Sequence, residues 1–145
     1  MKSKNTINFF EVTQRVGKAI SNIQITDSET HKGEFATLKR IYDNDEMGRI
    51  STITSLSKEL CVSVPAVSQM INALEEKGLV VRVPSETDRR IVKVKLTDSG
   101  NDFLKRSLDI LFRYIDDILY KMGENDSTEL ISLLLKLETL MQKGQ

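Results

Sequence analysis

Between Ser63 and Lys93 the chain gathers side chains suited to reading and gripping duplex DNA. One set is small or amide-bearing: Pro65, Ala66, Ser68, Gln69 and Asn72. Glutamine and asparagine amides each offer a donor and an acceptor and can pair bidentately with adenine, while proline or alanine can touch a thymine methyl. The other set is charged: Asp88, Arg89 and Arg90. A guanidinium on a projecting loop can enter a narrow minor groove, whose negative potential attracts it, and a nearby carboxylate can hold that side chain extended through a bidentate pair. An Asp-Arg-Arg run alone is an ordinary charged surface turn. What it can do depends on the elements that carry it.

Those elements can be read from periodicity. A short helical pattern with Leu56 and Leu60 inward breaks after Cys61-Val62, and a second opens behind Ser63, a good N-cap residue. Pro65 falls in the first turn of that second helix, where its missing N–H costs nothing. Apolar residues then recur at Val67, Met70, Ile71 and Leu74, which fixes the buried face. At about 100° per residue the opposite face is Pro65, Gln69 and Asn72, flanked by Ala66 and Ser68. Glu75 and Glu76 lie further along, directed away from phosphates. Gly78 is the expected left-handed stop after Lys77, and beyond it the period changes from helical to alternating. In IVKVKL, Val92, Val94 and Leu96 share one face and Lys93 and Lys95 the other; LVVRVP can pair with it through a loop from Ser85 to Arg90.

This order, a helix-turn-helix, then EEKGLVVR, then a wing with Asp88-Arg89-Arg90, then VKVKLT closing on Thr97, resembles the MarR family of winged helix-turn-helix transcription regulators. The likeness follows the whole chain in element order and is strongest from Leu56 to Gly100. It implies a mainly α fold with a small β wing, one domain over residues 1–145, in which about 35–97 form the DNA-binding lobe and about 5–25 and 98–145 form dimerisation helices. By position it places Pro65, Ala66, Ser68, Gln69 and Asn72 on the recognition helix, Arg90 at the wing tip and Asp88 as its orienting partner; Arg89, in the variable place of that motif, is expected to add positive charge near the backbone, and Ser63 and Lys93 are further DNA-binding candidates. It also implies a homodimer on double-stranded DNA with an inverted repeat, half-site centres about one helical turn apart. Repression by operator occlusion is the expected sign, because 145 residues leave no room for a separate activation domain.

The distribution of charge supports that placement. The 145 residues carry 21 basic and 21 acidic side chains, a net charge of zero. From Arg49 to Thr97, however, eight basic residues face five acidic ones, whereas from Asp98 onward six face nine and the first forty-eight residues balance at seven each. The positive excess coincides with the motif, which predicts moderate, salt-sensitive affinity for DNA. The N-terminus MKSKNTINFF lacks the apolar core of a signal peptide, no run approaches the roughly 20 apolar residues of a membrane helix, and a single cysteine excludes an internal disulfide framework. A cytoplasmic protein with no membrane partner is the expectation.

The flanks carry apolar stripes. Phe9, Val12, Val16, Ile20 and Ile23 fall in helical register, and Phe35, Leu38 and Ile41 mark a second helix. Beyond Thr97, a plausible N-cap, Leu104, Leu108, Leu111, Ile115, Ile118 and Met122 alternate steps of four and three, a heptad-like seam that Gly123 ends. Asp126 and Glu129 are placed to form a capping pair for a last helix. That helix has one stripe of Leu130, Leu134, Leu137 and Met141 and another of Leu133 and Leu140, too many apolar sides for one core, so it is expected to bury a partner face.

Other chemistries have less to stand on. No glycine-rich phosphate loop or nucleophile elbow is present, so no enzyme activity is expected, and no cofactor. Relatives in the resembled family often respond to small phenolic molecules; Phe9, Phe10, Phe35, Tyr42, Phe112 and Tyr114 could line a site for a small aromatic effector, although core packing also accounts for aromatics at helical spacing. Cys61, at the end of the first helix of the helix-turn-helix, is expected to be a small buried residue rather than a redox sensor, because no arginine, lysine or histidine adjoins it. His31, the one histidine, stands near Asp27, Glu29 and Glu34 with no second nitrogen or sulfur ligand and reads as a solvated loop residue rather than a metal ligand. The competing reading is a winged-helix protein-interaction module, which would carry an exposed apolar patch where this chain has Gln69 and Arg90.

Overall fold

The computed structural model describes residues 3–23 and 32–143. Among the described residues, six helices and two strands follow in the order α1 (Lys4–Ser21), α2 (Lys32–Glu46), α3 (Ile53–Leu60), α4 (Val64–Glu76), β1 (Val80–Pro84), β2 (Val92–Leu96), α5 (Asp98–Met122) and α6 (Glu124–Lys143). The mainly helical architecture with a small antiparallel wing is the one expected from the sequence. The chain divides into two compact units, one ending at Leu108 and one beginning at Asp109.

In the first unit, the apolar positions spaced for a helix-turn-helix converge on one core. Leu38 and Ile41 of α2, Leu56 of α3, Val67, Ile71 and Leu74 of α4, and Val80 and Val94 of the wing are all buried together with Leu79 and Leu104. Leu104 therefore belongs to this core rather than to the seam of exposed residues that continues along α5, and Leu108 also packs against it. Gly100 explains how α5 comes so close: a Cβ there would lie 1.9 Å from the carbonyl oxygen of Leu79. The Thr97 side chain bridges the same junction, donating to the Gly78 carbonyl at 2.6 Å and accepting from the Gly100 N–H at 3.0 Å.

Polar ties fix the helices around that core. Glu34, 5% exposed at its side chain, accepts from Lys77 Nζ at 2.6 Å and joins the start of α2 to the end of α4. At the other end of α2, the buried Asn44 donates through Nδ2 to Ser51 Oγ and to the Glu59 carboxylate, at 3.0 Å to the nearer oxygen, which anchors α3. The Ser51 carbonyl in turn accepts from the Val94 N–H at 2.8 Å, along the edge of β2 not paired with β1.

In the second unit, α5 from Asp109 runs to Met122, Gly123 takes a left-handed conformation with φ +88°, and α6 begins at once. The expected Asp126–Glu129 cap does not form. Asp126 lies inside the first turn of α6, and Ser127 makes the local connection, donating to the carbonyls of Leu119 and Gly123 at 2.8 and 2.7 Å. Ser127 is the one buried residue of α6, so the leucines around it stay exposed.

Candidate nucleic-acid interface

Helix α4, the expected recognition helix, starts as its sequence requires. Ser63 Oγ accepts from the Ala66 N–H at 3.3 Å, Pro65 sits in the first turn, and the three apolar positions Val67, Ile71 and Leu74 are buried. On the other side Pro65, Gln69 and Asn72 are exposed, with Ala66 and Ser68 partly so. The structure thus brings this expected reading face together on one surface. Ser63 is exposed as well, but its hydroxyl is committed to capping.

The turn that delivers α4 contains a feature the sequence reading missed. Cys61 caps α3 with φ +54° and is exposed, not buried. The left-handed turn directs the side chain away from the core, and its Sγ lies 3.7 Å from the Lys58 carbonyl. At the head of α3, Thr52 and Ser55 form a reciprocal capping box, each side chain accepting from the other's backbone N–H.

The wing pairs β1 with β2 in the register Val80–Leu96, Arg82–Val94 and Pro84–Val92. Its loop is ordered by its own backbone: the Ser85 N–H donates to the Ile91 carbonyl at 2.8 Å and the Ile91 N–H to Asp88 at 2.9 Å. Ile91 belongs to this loop rather than to the strand. Asp88 accepts from Arg90 three times, from the backbone N–H at 3.0 Å, from Nε at 3.1 Å and from Nη2 at 3.3 Å. These side-chain and backbone hydrogen bonds hold the Asp88 carboxyl below the usual carboxylate range. Arg90 is 91% exposed at its side chain, so the pair directs a guanidinium that nothing buries.

The remaining predicted residues separate. Arg89 is exposed and forms no ion pair with a described residue. Lys93 is half-buried and lines a cavity of about 560 Å³ with Asp45, Arg49, Lys95 and Lys105, apart from the reading face of α4. Among the described residues, Arg49, Lys58, Lys93 and Lys95 likewise carry charge unmatched by an ion pair, so the basic excess of this stretch remains available to an anionic partner. His31, Asp27 and Glu29 lie outside the described residues.

One residue joins the helix to the wing and was not among those expected. Arg82 of β1 donates through Nη2 to Asn72 Oδ1 at 2.7 Å, pairs through Nη1 with the Glu75 carboxylate, and donates its backbone N–H to Glu75 Oε1 at 3.4 Å. The signal for it lay in EEKGLVVR, whose glutamate and arginine sit seven residues apart across the Gly78 turn.

With the helix-turn-helix and wing in place, residues 32–92 match the model of the MarR family. The members of that family are transcription regulators, and the matched stretch carries the helix-turn-helix and most of the wing. The chain is 28% identical over 136 residues to an uncharacterised HTH-type transcriptional regulator, YkoM, of Bacillus subtilis (strain 168), a match that covers 92% of this chain and 86% of that one. Among solved structures it is similar to a MarR family protein from Bacillus stearothermophilus, with a TM-score of 0.84 at 16% identity over 98% of this chain and 99% of that one. It is also similar to Streptococcus pneumoniae FabT in complex with DNA, with a TM-score of 0.75 at 24% identity over 99% of this chain and all of that one. No described helix of this chain is long and apolar enough to cross a membrane.

Proposed function

We infer that this chain is a MarR-family regulator that binds an inverted-repeat operator as a homodimer, laying α4 in the major groove and the Arg90 wing tip in the adjacent minor groove, and acts as a repressor by occlusion. The observation that carries the reading is the pairing of two exposed elements on one lobe: a recognition face without charge, Pro65, Gln69 and Asn72, and a projecting guanidinium oriented by Asp88. Small and amide groups allow close approach and base-edge contacts, while the oriented arginine suits a narrow groove. The DNA complex of FabT, which shares the fold, fits the same use. In a protein-interaction module these positions would present apolar surface; here Gln69 and Arg90 are polar and exposed.

The exposed stripes support the homodimer. Phe9, Val12, Val16 and Ile20 on α1, Phe112, Ile115 and Ile118 on α5, and Leu130, Leu133, Leu134, Leu140 and Met141 on α6 all stand at 37% exposure or more. Apolar surface on this scale is rarely left to solvent, and a two-fold partner would cover it. A small aromatic effector has narrower support than the sequence offered. Phe35 and Tyr42 pack against the core, as expected of structural aromatics, whereas Phe9, Phe10, Phe112 and Tyr114 are exposed and would line a site only once a partner covers them.

Selection of random duplex DNA by the purified protein at near-physiological salt, followed by sequencing of the bound pool, tests the reading. An enriched inverted repeat with half-site centres about 10 bp apart is the expected result. A folded preparation that enriches no sequence would transfer the winged helix to the interaction-module reading.

A further inference from the structure

Asparagine in a recognition helix is ordinarily read as an adenine contact, because its amide presents one acceptor and one donor to the N6 and N7 edge. In this chain the acceptor is already engaged. Arg82 donates to Asn72 Oδ1 at 2.7 Å, and the same guanidinium is held by Glu75. A guanidinium has donors only, so the orientation of the amide follows from its partner: Oδ1 faces β1 and Nδ2 is the outward pole. Arg82 is only 28% exposed at its side chain and is fixed at both ends by the Glu75 carboxylate, which accepts from its backbone N–H and from its guanidinium. Adenine pairing would require the polarised oxygen to accept a second hydrogen bond while the amide edge turned away from Arg82.

Resting on the DNA-binding reading above, we propose that Arg82 makes Asn72 a donor-only reader, selecting an acceptor edge, guanine N7/O6 or thymine O4, over adenine at its base position. Arg82 is a positioning residue here. Its charge is matched by Glu75, so its effect on the operator passes through the amide it orients rather than through phosphate attraction.

The test is sequencing of selected duplexes with four proteins: wild type, Asn72→Ala, Arg82→Met and Arg82→Lys. Asn72 is exposed, so Asn72→Ala leaves the core intact and identifies the position it reads. The expected wild-type preference there is guanine or thymine, reduced about fivefold or more in Asn72→Ala with other positions unchanged. Arg82→Met frees the oxygen and moves that one position toward adenine. Arg82→Lys keeps a cation for Glu75 but lacks the fork that reaches both partners, and shifts the same position in the same direction, which provides the measurement if Arg82→Met fails to fold. Adenine at that position in the wild type, an unchanged preference in both Arg82 variants, or a uniform affinity loss in Asn72→Ala would each overturn the proposal. A wild-type pool with no motif at all would instead remove the DNA-binding reading on which it rests.

Discussion

Replacing Arg90 by alanine separates a DNA contact from a structural one. Its side chain is 91% exposed and its ion-pair partner is Asp88 at the same wing tip, so truncation removes no buried surface. Solvent screens an exposed pair of this kind, so the melting temperature should stay within about 1–2 °C of wild type for a chain of this length. The effect on DNA is larger and has a particular form. Each backbone charge neutralised adds about 0.9 to the slope of log affinity against log salt, so the two wings of the proposed homodimer add about 1.8. Between 50 and 200 mM salt, a fourfold change, the advantage of wild type over Arg90→Ala should therefore shrink about twelvefold. Fluorescence anisotropy titrations of a selected operator at several salt concentrations measure both slopes. Parallel lines would refute a wing contact with DNA, and a melting temperature lowered by many degrees would show that Arg90 acts in folding instead. The difference should also persist from about pH 5 to 8. Arg90 holds the Asp88 pKa down, so the pair is complete above the ordinary carboxylate range and is lost only as pH falls through the lowered value.

Three further outcomes follow from the geometry. Gln69→Ala should relax base preference at one position per half-site by about 1–3 kcal/mol in competition binding, whereas an equal loss on all sequences would make Gln69 a backbone contact. Leu134→Asp combined with Leu137→Asp places two charges in an apolar groove of about 340 Å³ on α6 and should yield monomers by sedimentation; a wild type already monomeric at micromolar concentration would remove the symmetric assembly. Gly100→Ala drives a methyl into the Leu79 carbonyl, with about 3 kcal/mol of destabilisation and a melting temperature lower by roughly 10 °C, and a stable variant would mean that α5 has room to move.

The parts of the fold that were legible are those written in single-letter periods. Ser63 as N-cap, Pro65 in the first turn, Gly78 with φ +70° and the Val94 alternation each follow from a local rule with one solution. Leu104 and Leu108 show where such rules run out. The four-three spacing continues unbroken from Leu104 to Met122, yet the first two members pack into the lobe while Ile115 and Ile118 remain exposed. Periodicity reports which face of a helix is apolar and not what lies against it. That was decided by Gly100, whose missing side chain lets the start of α5 meet Leu79. Cys61 fails for a related reason: its residue type favours burial, but the turn into α4 demands a left-handed residue there, and the backbone prevailed.

The reading face was legible as a surface but not as a set of hydrogen bonds. Helical phase places Gln69 and Asn72 side by side and gives their amides equal standing. Their chemistry differs because of a residue on another element, and no helical or strand period connects position 72 to position 82. The link needs the Gly78 reversal and the β1 register together, which bring Arg82 back over α4, where Glu75 fixes it. The two carboxylates expected to point away from phosphates thus divide: Glu76 is exposed, and Glu75 holds the arginine that donates to Asn72 Oδ1. On the proposal above, base preference belongs to a three-residue network, and a substitution at Glu75, itself not expected to touch a base, should alter the base selected at the Asn72 position.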